Sequence, residues 1–341
     1  MQAHPDERAA APGDAPVLAG DPLPDDDAAT PRGRGTSRLT TIGLVVSALA
    51  VSGVVWWALQ QEPPEFPDTT SEWAALAGAV ALYAVATLVR GERWLVLLRA
   101  EGARPSRADA HGLNVVGYTG NNLLPARAGD AVRVFLMAPR ATTSKKAVLG
   151  TLLAERLLDI AVILTLFVVV GYGLLGELGA GDVEWIALAS ACVIAAAAIA
   201  VVLVRRNERL HALLAPILSS TLQLRGRHGL ALLASTVLIW ALEAGVWMSA
   251  GAAAGFPMNP IEGCYIVALA SVFALIPSGP GYAGTQDAAA ITGILALGGT
   301  HSQAVTYLIL VRFVIVVPIT LVGLALMASR YGGLRRLRAA R

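Results

Sequence analysis

Five charged residues sit where a water-soluble chain would place them freely and a hydrophobic chain would not. Glu155, Arg156 and Asp159 fall a third to half of the way along one long apolar run. Glu243 lies between Trp240 and Trp247 in a second run, and Arg312 lies well inside a third. A charge at the centre of a membrane helix costs about 2.5–3.5 kcal/mol on insertion scales, so each of these demands a partner or a water-filled cavity. Arg156 and Asp159 are three residues apart, and Glu155 and Asp159 four apart, so the three share one helix face. Two kinds of chemistry follow. Arg156 and Asp159 can form a structural pair, with Arg312 pairing either Asp287 or Glu243. Alternatively the guanidinium groups of Arg156 and Arg312 hold a phosphate by charge-assisted hydrogen bonds. Glu243 is either a hydrogen-bonded structural group or one that titrates during transport.

The elements that must carry these residues are membrane spans. Of 341 residues 55% are hydrophobic and 15% charged, with a mean hydropathy of +0.62, too little charge to cover a soluble domain of this length. Crossing ~30 Å of hydrocarbon takes about 20 apolar residues. Runs of that kind occur at Leu39–Leu59, Trp73–Leu98, Ala147–Leu174, Trp185–Val204, Gly229–Ala254 and Ala304–Ala328. Two more stretches, Ala110–Ala138 and Gly263–Leu297, are apolar but broken by Gly, Pro and polar residues. The predicted fold is therefore all-α and polytopic, with about six spans and two broken re-entrant segments, eight membrane elements if the breaks are counted with the spans.

Orientation follows from lysine and arginine. Gln60–Glu72, Leu175–Glu184, Gly255–Glu262 and Gly298–Gln303 contain neither. The opposite side gathers Arg32, Arg34, Arg38, Arg90, Arg93, Arg99, Arg104, Arg107, Arg140, Lys145, Lys146, Arg205, Arg206, Arg209, Arg225, Arg227, Arg330, Arg335, Arg336, Arg338 and Arg341. Both termini are then expected in the cytoplasm. Residues 1–38, with Asp25-Asp26-Asp27 and much Pro, Ala and Gly, read as a disordered cytoplasmic tail. Residues 39–329 read as the transmembrane domain and 330–341 as a basic cytoplasmic terminus.

The two broken stretches resemble each other. Pro125, Arg127, Gly129 and Asp130 are followed 26 residues after Asp130 by Arg156. Pro277, Pro280, Gly281, Gly284 and Asp287 are followed after 25 residues by Arg312. Three crossings lie between them, so the units are expected to be inverted, the recurring build of secondary transporters. Pro and Gly free backbone groups, and half-helix N-termini aim partial positive charge into the break. Asn114, Asn121 and Asn122, with His111, are expected to cap these half-helices or bond freed backbone, and Asn122 is also a candidate headgroup contact. Arg127 and Arg133 either contact phosphate or snorkel to the cytoplasmic surface. Cys192 and Cys264 show no metal or disulfide spacing.

The run Asn122-Leu123-Leu124-Pro125-Ala126-Arg127-Ala128-Gly129-Asp130-Ala131-Val132-Arg133 resembles the N-x-x-P-x-R-x-G-E-x-x-R motif of the lysylphosphatidylglycerol synthase transmembrane region, or flippase-like, family. Glu155-Arg156 with Asp159 resembles its E-R-x-x-D. Pro277, Pro280, Gly281, Gly284 and Asp287 resemble its P-x-x-P-G-G-x-G-x-x-E. Asp130 and Asp287 stand where the family has glutamate, and Tyr282 where it has glycine. The resemblance covers about Trp73 to Ala328 and implies a bacterial cytoplasmic membrane. The soluble aminoacyl-transfer domain of the synthases is not expected after Arg341, which leaves the part thought to move lipid between leaflets.

These features lead to a lipid transporter. Its expected cargo is an anionic or modified phospholipid, or a polyprenyl-phosphate carrier, bound near Asn122, Arg127, Asp130, Arg133, Glu155, Arg156, Asp159, Glu243, Asp287 and Arg312. A membrane transferase acting on a lipid carrier is the alternative, as is a scaffold for a separate soluble synthase. No metal, cofactor or nucleic acid is expected, and no G-x-x-x-x-G-K-[ST] run binds ATP.

Overall fold

The computed structural model describes residues 51–61, 63–124, 128–174, 227–274, 281 and 283–332, with isolated residues 45, 48, 49 and 206. The expected span at Trp185–Val204, the tail 1–38, most of the basic terminus, Pro125, Arg127, Pro277, Pro280, Tyr282 and Cys192 lie outside the described residues.

Residues 51–58 are helical. They precede α1 (Thr70–Ala100), α2 (Arg107–Leu123), α3 (Ala128–Arg140), α4 (Lys145–Leu174), α5 (Arg227–Ala253), α6 (Pro260–Phe273), α7 (Thr285–Ala296) and α8 (His301–Ser329). Three of these, α1, α5 and α8, are long and apolar enough to cross a membrane on length and composition. Each broken stretch is two short helices packed on one another, α2 on α3 and α6 on α7. The most extensive contact between described helices joins α1 to α5.

Helix starts follow local chemistry. Thr69, Asn259 and Thr300 cap α1, α6 and α8, each in a reciprocal capping box with Glu72, Glu262 or Gln303. These three starts share one end of the bundle. There Gln303 Nε2 donates to the Gly255 carbonyl at 2.9 Å and Ser302 Oγ to the Pro63 carbonyl at 3.1 Å. The opposite end is tied by Arg107–Glu92 at 2.9 Å, Arg330–Asp109 at 3.2 Å and the Arg104 amide on the Ala141 carbonyl at 3.0 Å. The ends lacking and bearing basic residues in the sequence are therefore opposite ends of the fold. Tyr331 closes the basic end. Fully buried, it stacks on the Arg140 guanidinium at 5.0 Å, and burial together with Asp109 pushes its phenol up to about 12.

Two apolar cores occupy the two ends. Leu76, Ala79, Trp247, Ile266, Ile294 and Tyr307 belong to one, and Trp94, Leu98, Leu113, Met137 and Tyr331 to the other. Along α1 the first core reaches Tyr83 and the second begins at Trp94, and Arg90 and Arg93 lie in the interval. Both arginines are helical, 8% and 3% exposed. They are thus not cytoplasmic loop charges, as the topological count assumed, because carboxylates from other helices meet them inside the bundle.

Gly129 also departs from expectation. It is not a break but a residue of the first turn of α3, and a Cβ there would strike the Gly117 carbonyl and Asn121 of α2. The α2/α3 hairpin is close-packed through Gly117, Gly120 and Gly129 instead. Gly129→Val should overpack this crossing and cost about 1–3 kcal/mol, measured as a lowered midpoint of thermal unfolding in detergent micelles, with Gly150→Val, where a Cβ meets nothing within 4 Å, as the neutral control.

Candidate functional site

The carboxylate of each broken unit occupies the third position of its second half-helix, Asp130 in α3 and Asp287 in α7. Each meets the arginine of the following long helix. Arg156 Nη2 donates to Asp130 Oδ1 and Oδ2 at 3.3 and 3.2 Å, while Asn121 Nδ2 donates to Oδ1 at 3.3 Å. Arg312 Nε donates to Asp287 Oδ1 at 2.5 Å, and its Nη2 completes the ion pair. Asp287 Oδ2 in turn accepts the Gly284 amide at 2.8 Å, and Arg312 Nη1 donates to the Gly281 carbonyl at 2.5 Å. Gly281 and Gly284 have φ of 62° and 91°, a left-handed backbone that side chains with a Cβ resist. Arg312 thus holds both the turn and the helix it leads into.

The rest of the polar face is partnered differently from the spacing argument. Arg156 pairs with Asp130 of α3, not with Asp159 on its own helix. Asp159 receives Arg93 of α1 through a two-pronged contact at 2.6 and 3.0 Å, and Arg93 Nη1 also reaches Thr236 Oγ1 at 3.0 Å. A planar guanidinium approaching end-on from another helix makes two parallel bonds, a geometry that residues three apart on one helix do not readily achieve. Glu155 lies 2.9 Å from Arg133 and 3.7 Å from Arg93. Arg133 is 4% exposed, its guanidinium 4.0 Å above the Trp94 ring, so it does not snorkel. Glu243 pairs with Arg90 at 2.5 Å, which leaves Asp287 as the partner of Arg312.

The asparagines have separate tasks. Asn114 donates to the Thr87 carbonyl at 3.3 Å and Asn122 to Thr320 Oγ1 at 3.1 Å, while His111 Nε2 lies 2.8 Å from Glu92. The end of α2 also meets the second break, since a Cβ on Gly281 would sit 3.9 Å from the Asn122 backbone.

Around this meeting point lies a cavity of about 220 Å³. Arg90, Arg156, Asp159 and Glu243 line it with Asn121, Asn122 and Gln286, and Tyr83, Tyr118, Trp240 and Trp247 provide aromatic walls. Of the sequence-predicted residues, Asn122, Arg156, Asp159, Glu243 and Gly281 reach this cavity. Asp287 and Arg312 line a second one beside it, and Asp130, Arg133 and Glu155 support the first from behind. Arg90, Arg93, Tyr83, Tyr118, Trp240 and Gln286 were missed. Two arginines three apart within one apolar run carried the same signal as Arg156 and could have been read the same way.

A helical bundle with ion pairs within its spans and a polar cavity between broken helices defines a multi-span membrane protein. The chain belongs to the lysylphosphatidylglycerol synthase transmembrane-region family, whose profile matches residues 41–323. It is also similar to the glycosyltransferase AglD of Haloferax volcanii, 32% identical over 157 residues, which are 45% of this chain and 25% of that protein. The chain therefore matches about a quarter of the length of that archaeal relative.

Removing one member of a buried pair strands the other. Glu243→Leu should cost about 3–5 kcal/mol by leaving Arg90 uncompensated, whereas Arg90→Met with Glu243→Leu should recover most of it. Unfolding in detergent of the two single variants and the double variant measures this coupling.

Proposed function

We propose that the chain is a flippase-like lipid transporter that moves a phospholipid or a polyprenyl-phosphate carrier between leaflets. The observation that carries this is the polar cavity at the meeting of the two broken helices, reached by Arg156. Family membership supports a role in membrane lipid biology. The Arg156 side chain is 30% exposed although Asp130 orients it, so its guanidinium can meet a phosphate without surrendering its carboxylate. The tyrosines, Asn122 and Gln286 offer hydrogen bonds to the rest of a headgroup.

In this mechanism the two units are inverted repeats whose breaks are re-entrant, and both termini face the cytoplasm of a bacterial cell. The common placement of the Asp130–Arg156 and Asp287–Arg312 pairs supports the repeat. Rocking one unit against the other would expose the cavity to each leaflet in turn. Cargo choice falls to the cavity lining, and a soluble synthase that makes a modified lipid would be a fitting partner.

A transferase acting on a lipid-linked sugar is the second reading, favoured by the similarity to an archaeal glycosyltransferase. Metal-dependent turnover of such a sugar by the purified chain would establish it.

The test is transbilayer movement of fluorescent phospholipids in proteoliposomes. Wild-type protein is expected to move at least one anionic or modified lipid, and Arg156→Ala with Arg312→Ala to abolish movement while the protein remains folded. Undiminished movement in that variant would remove the arginines from the path.

A further inference from the structure

The second cavity, of about 360 Å³, differs in character from the first. Its walls are Val51, Val54 and Val55 of the helical residues 51–58 on one side and Leu308 and Val316 of α8 on the other. Its floor is the Arg312–Asp287 pair, with Asn122 and Gly281 at the inner margin. Val55 is 49% exposed, and α8 presents Ile309 and Phe313 to the outside beside the cleft at 39% and 43%. In a membrane chain such surfaces face hydrocarbon. The floor is deep. Arg312 follows the start of α8 at His301 by about 16 Å of helix, near mid-membrane depth.

We propose that this cleft is a lateral lipid site, through which one phosphate-bearing membrane lipid leaves the bilayer to reach the central cavity. An apolar wall with a charged floor matches a lipid in polarity from end to end. The acyl chain lies along Val51, Val54 and Leu308, and the phosphate approaches Arg312, whose side chain is 21% exposed. A cleft of this depth with an entirely apolar floor would admit only chain, and one with polar walls would be hostile to it. The two cavities share Asn122, Gly281 and Val316. The close approach of the Gly281 backbone to the Asn122 backbone is therefore the barrier that the headgroup must pass. Both sides of it are fastened to α8, Asn122 through Thr320 and Gly281 through Arg312, so a change in α8 moves the two together or apart. The site deepens the transporter reading and rests on it for the onward path, but lipid occupancy of the cleft can be tested separately.

The experiment uses the full chain in nanodiscs of phosphatidylglycerol and phosphatidylethanolamine, doped with phosphatidylglycerol bearing a photoreactive diazirine on its headgroup. Adducts are mapped by mass spectrometry after illumination. Labelling within residues 281–287 or 308–316 is expected, although bulk headgroups reach only the helix ends. Val54→Trp and, at the more exposed wall position, Val55→Trp should each remove that labelling in protein that elutes and unfolds like wild type. Labelling confined to the helix ends, or mid-helix labelling that both tryptophans leave unchanged, overturns the proposal. Lipid movement in proteoliposomes without mid-helix labelling overturns the cleft and leaves the transporter standing. Labelling without movement supports the cleft and removes the transporter.

Discussion

A guanidinium or carboxylate in hydrocarbon must meet its opposite, and in this protein the opposite almost always belongs to another helix. Arg90 of α1 meets Glu243 of α5, and Arg93 of α1 meets Asp159 of α4. Arg133 of α3 meets Glu155 of α4, Arg156 of α4 meets Asp130 of α3, and Arg312 of α8 meets Asp287 of α7. Apolar packing between helices in lipid is permissive about rotation and register, since lipid tails compete on equal terms. The ion pairs are not permissive. A shift of one residue on any of these helices turns a charge about 100° away from its partner. The pairs therefore set helix rotation, and the two apolar cores fill the ends on either side.

α8 is the member on which both broken units depend. Beyond holding Asp287 and Gly281, it accepts Thr119 Oγ1 at the Ile319 carbonyl at 3.1 Å, and Gly323 lets Thr119 approach so closely that a Cβ would collide with it. Pro318 lies between the residue that grips the second unit, Arg312, and those that grip the first, Ile319 and Thr320. Its ring removes one backbone hydrogen bond from the helix at that point. The helix is thus weakest in bending where its two attachments divide.

Much of this architecture was legible because its signals are local. Apolar runs placed α1, α4, α5 and α8 to within a few residues, and the interruptions at Asn122–Asp130 and Pro277–Asp287 marked where α2 gives way to α3 and α6 to α7. The sequence offered Arg312 two partners, Asp287 and Glu243, and the fold gives it the first because Arg90 takes the second. Spacing failed where the partner is tertiary. Arg156 and Asp159 look like a pair on a helical wheel, yet Arg93 claims Asp159 from another helix. Arg90 and Arg93 near the end of a run look like topogenic charges until Glu243 and Asp159 are seen across from them. Gly129 looks like a break in a Gly-Pro-rich stretch, and only the proximity of Gly117 and Gly120 shows it to be a packing surface.

The pairing has an electrical consequence. Among the described residues each of the five arginines within the bundle is matched by one of five carboxylates. Displacing an unmatched elementary charge through the full potential changes the energy by about 2.3 kcal/mol per 100 mV. A movement that carries both helices of a matched pair together displaces no net charge and is nearly indifferent to the membrane potential. Any current that accompanies turnover would then be carried by the cargo and its co-transported ions, so the sign and size of that current report their combined charge.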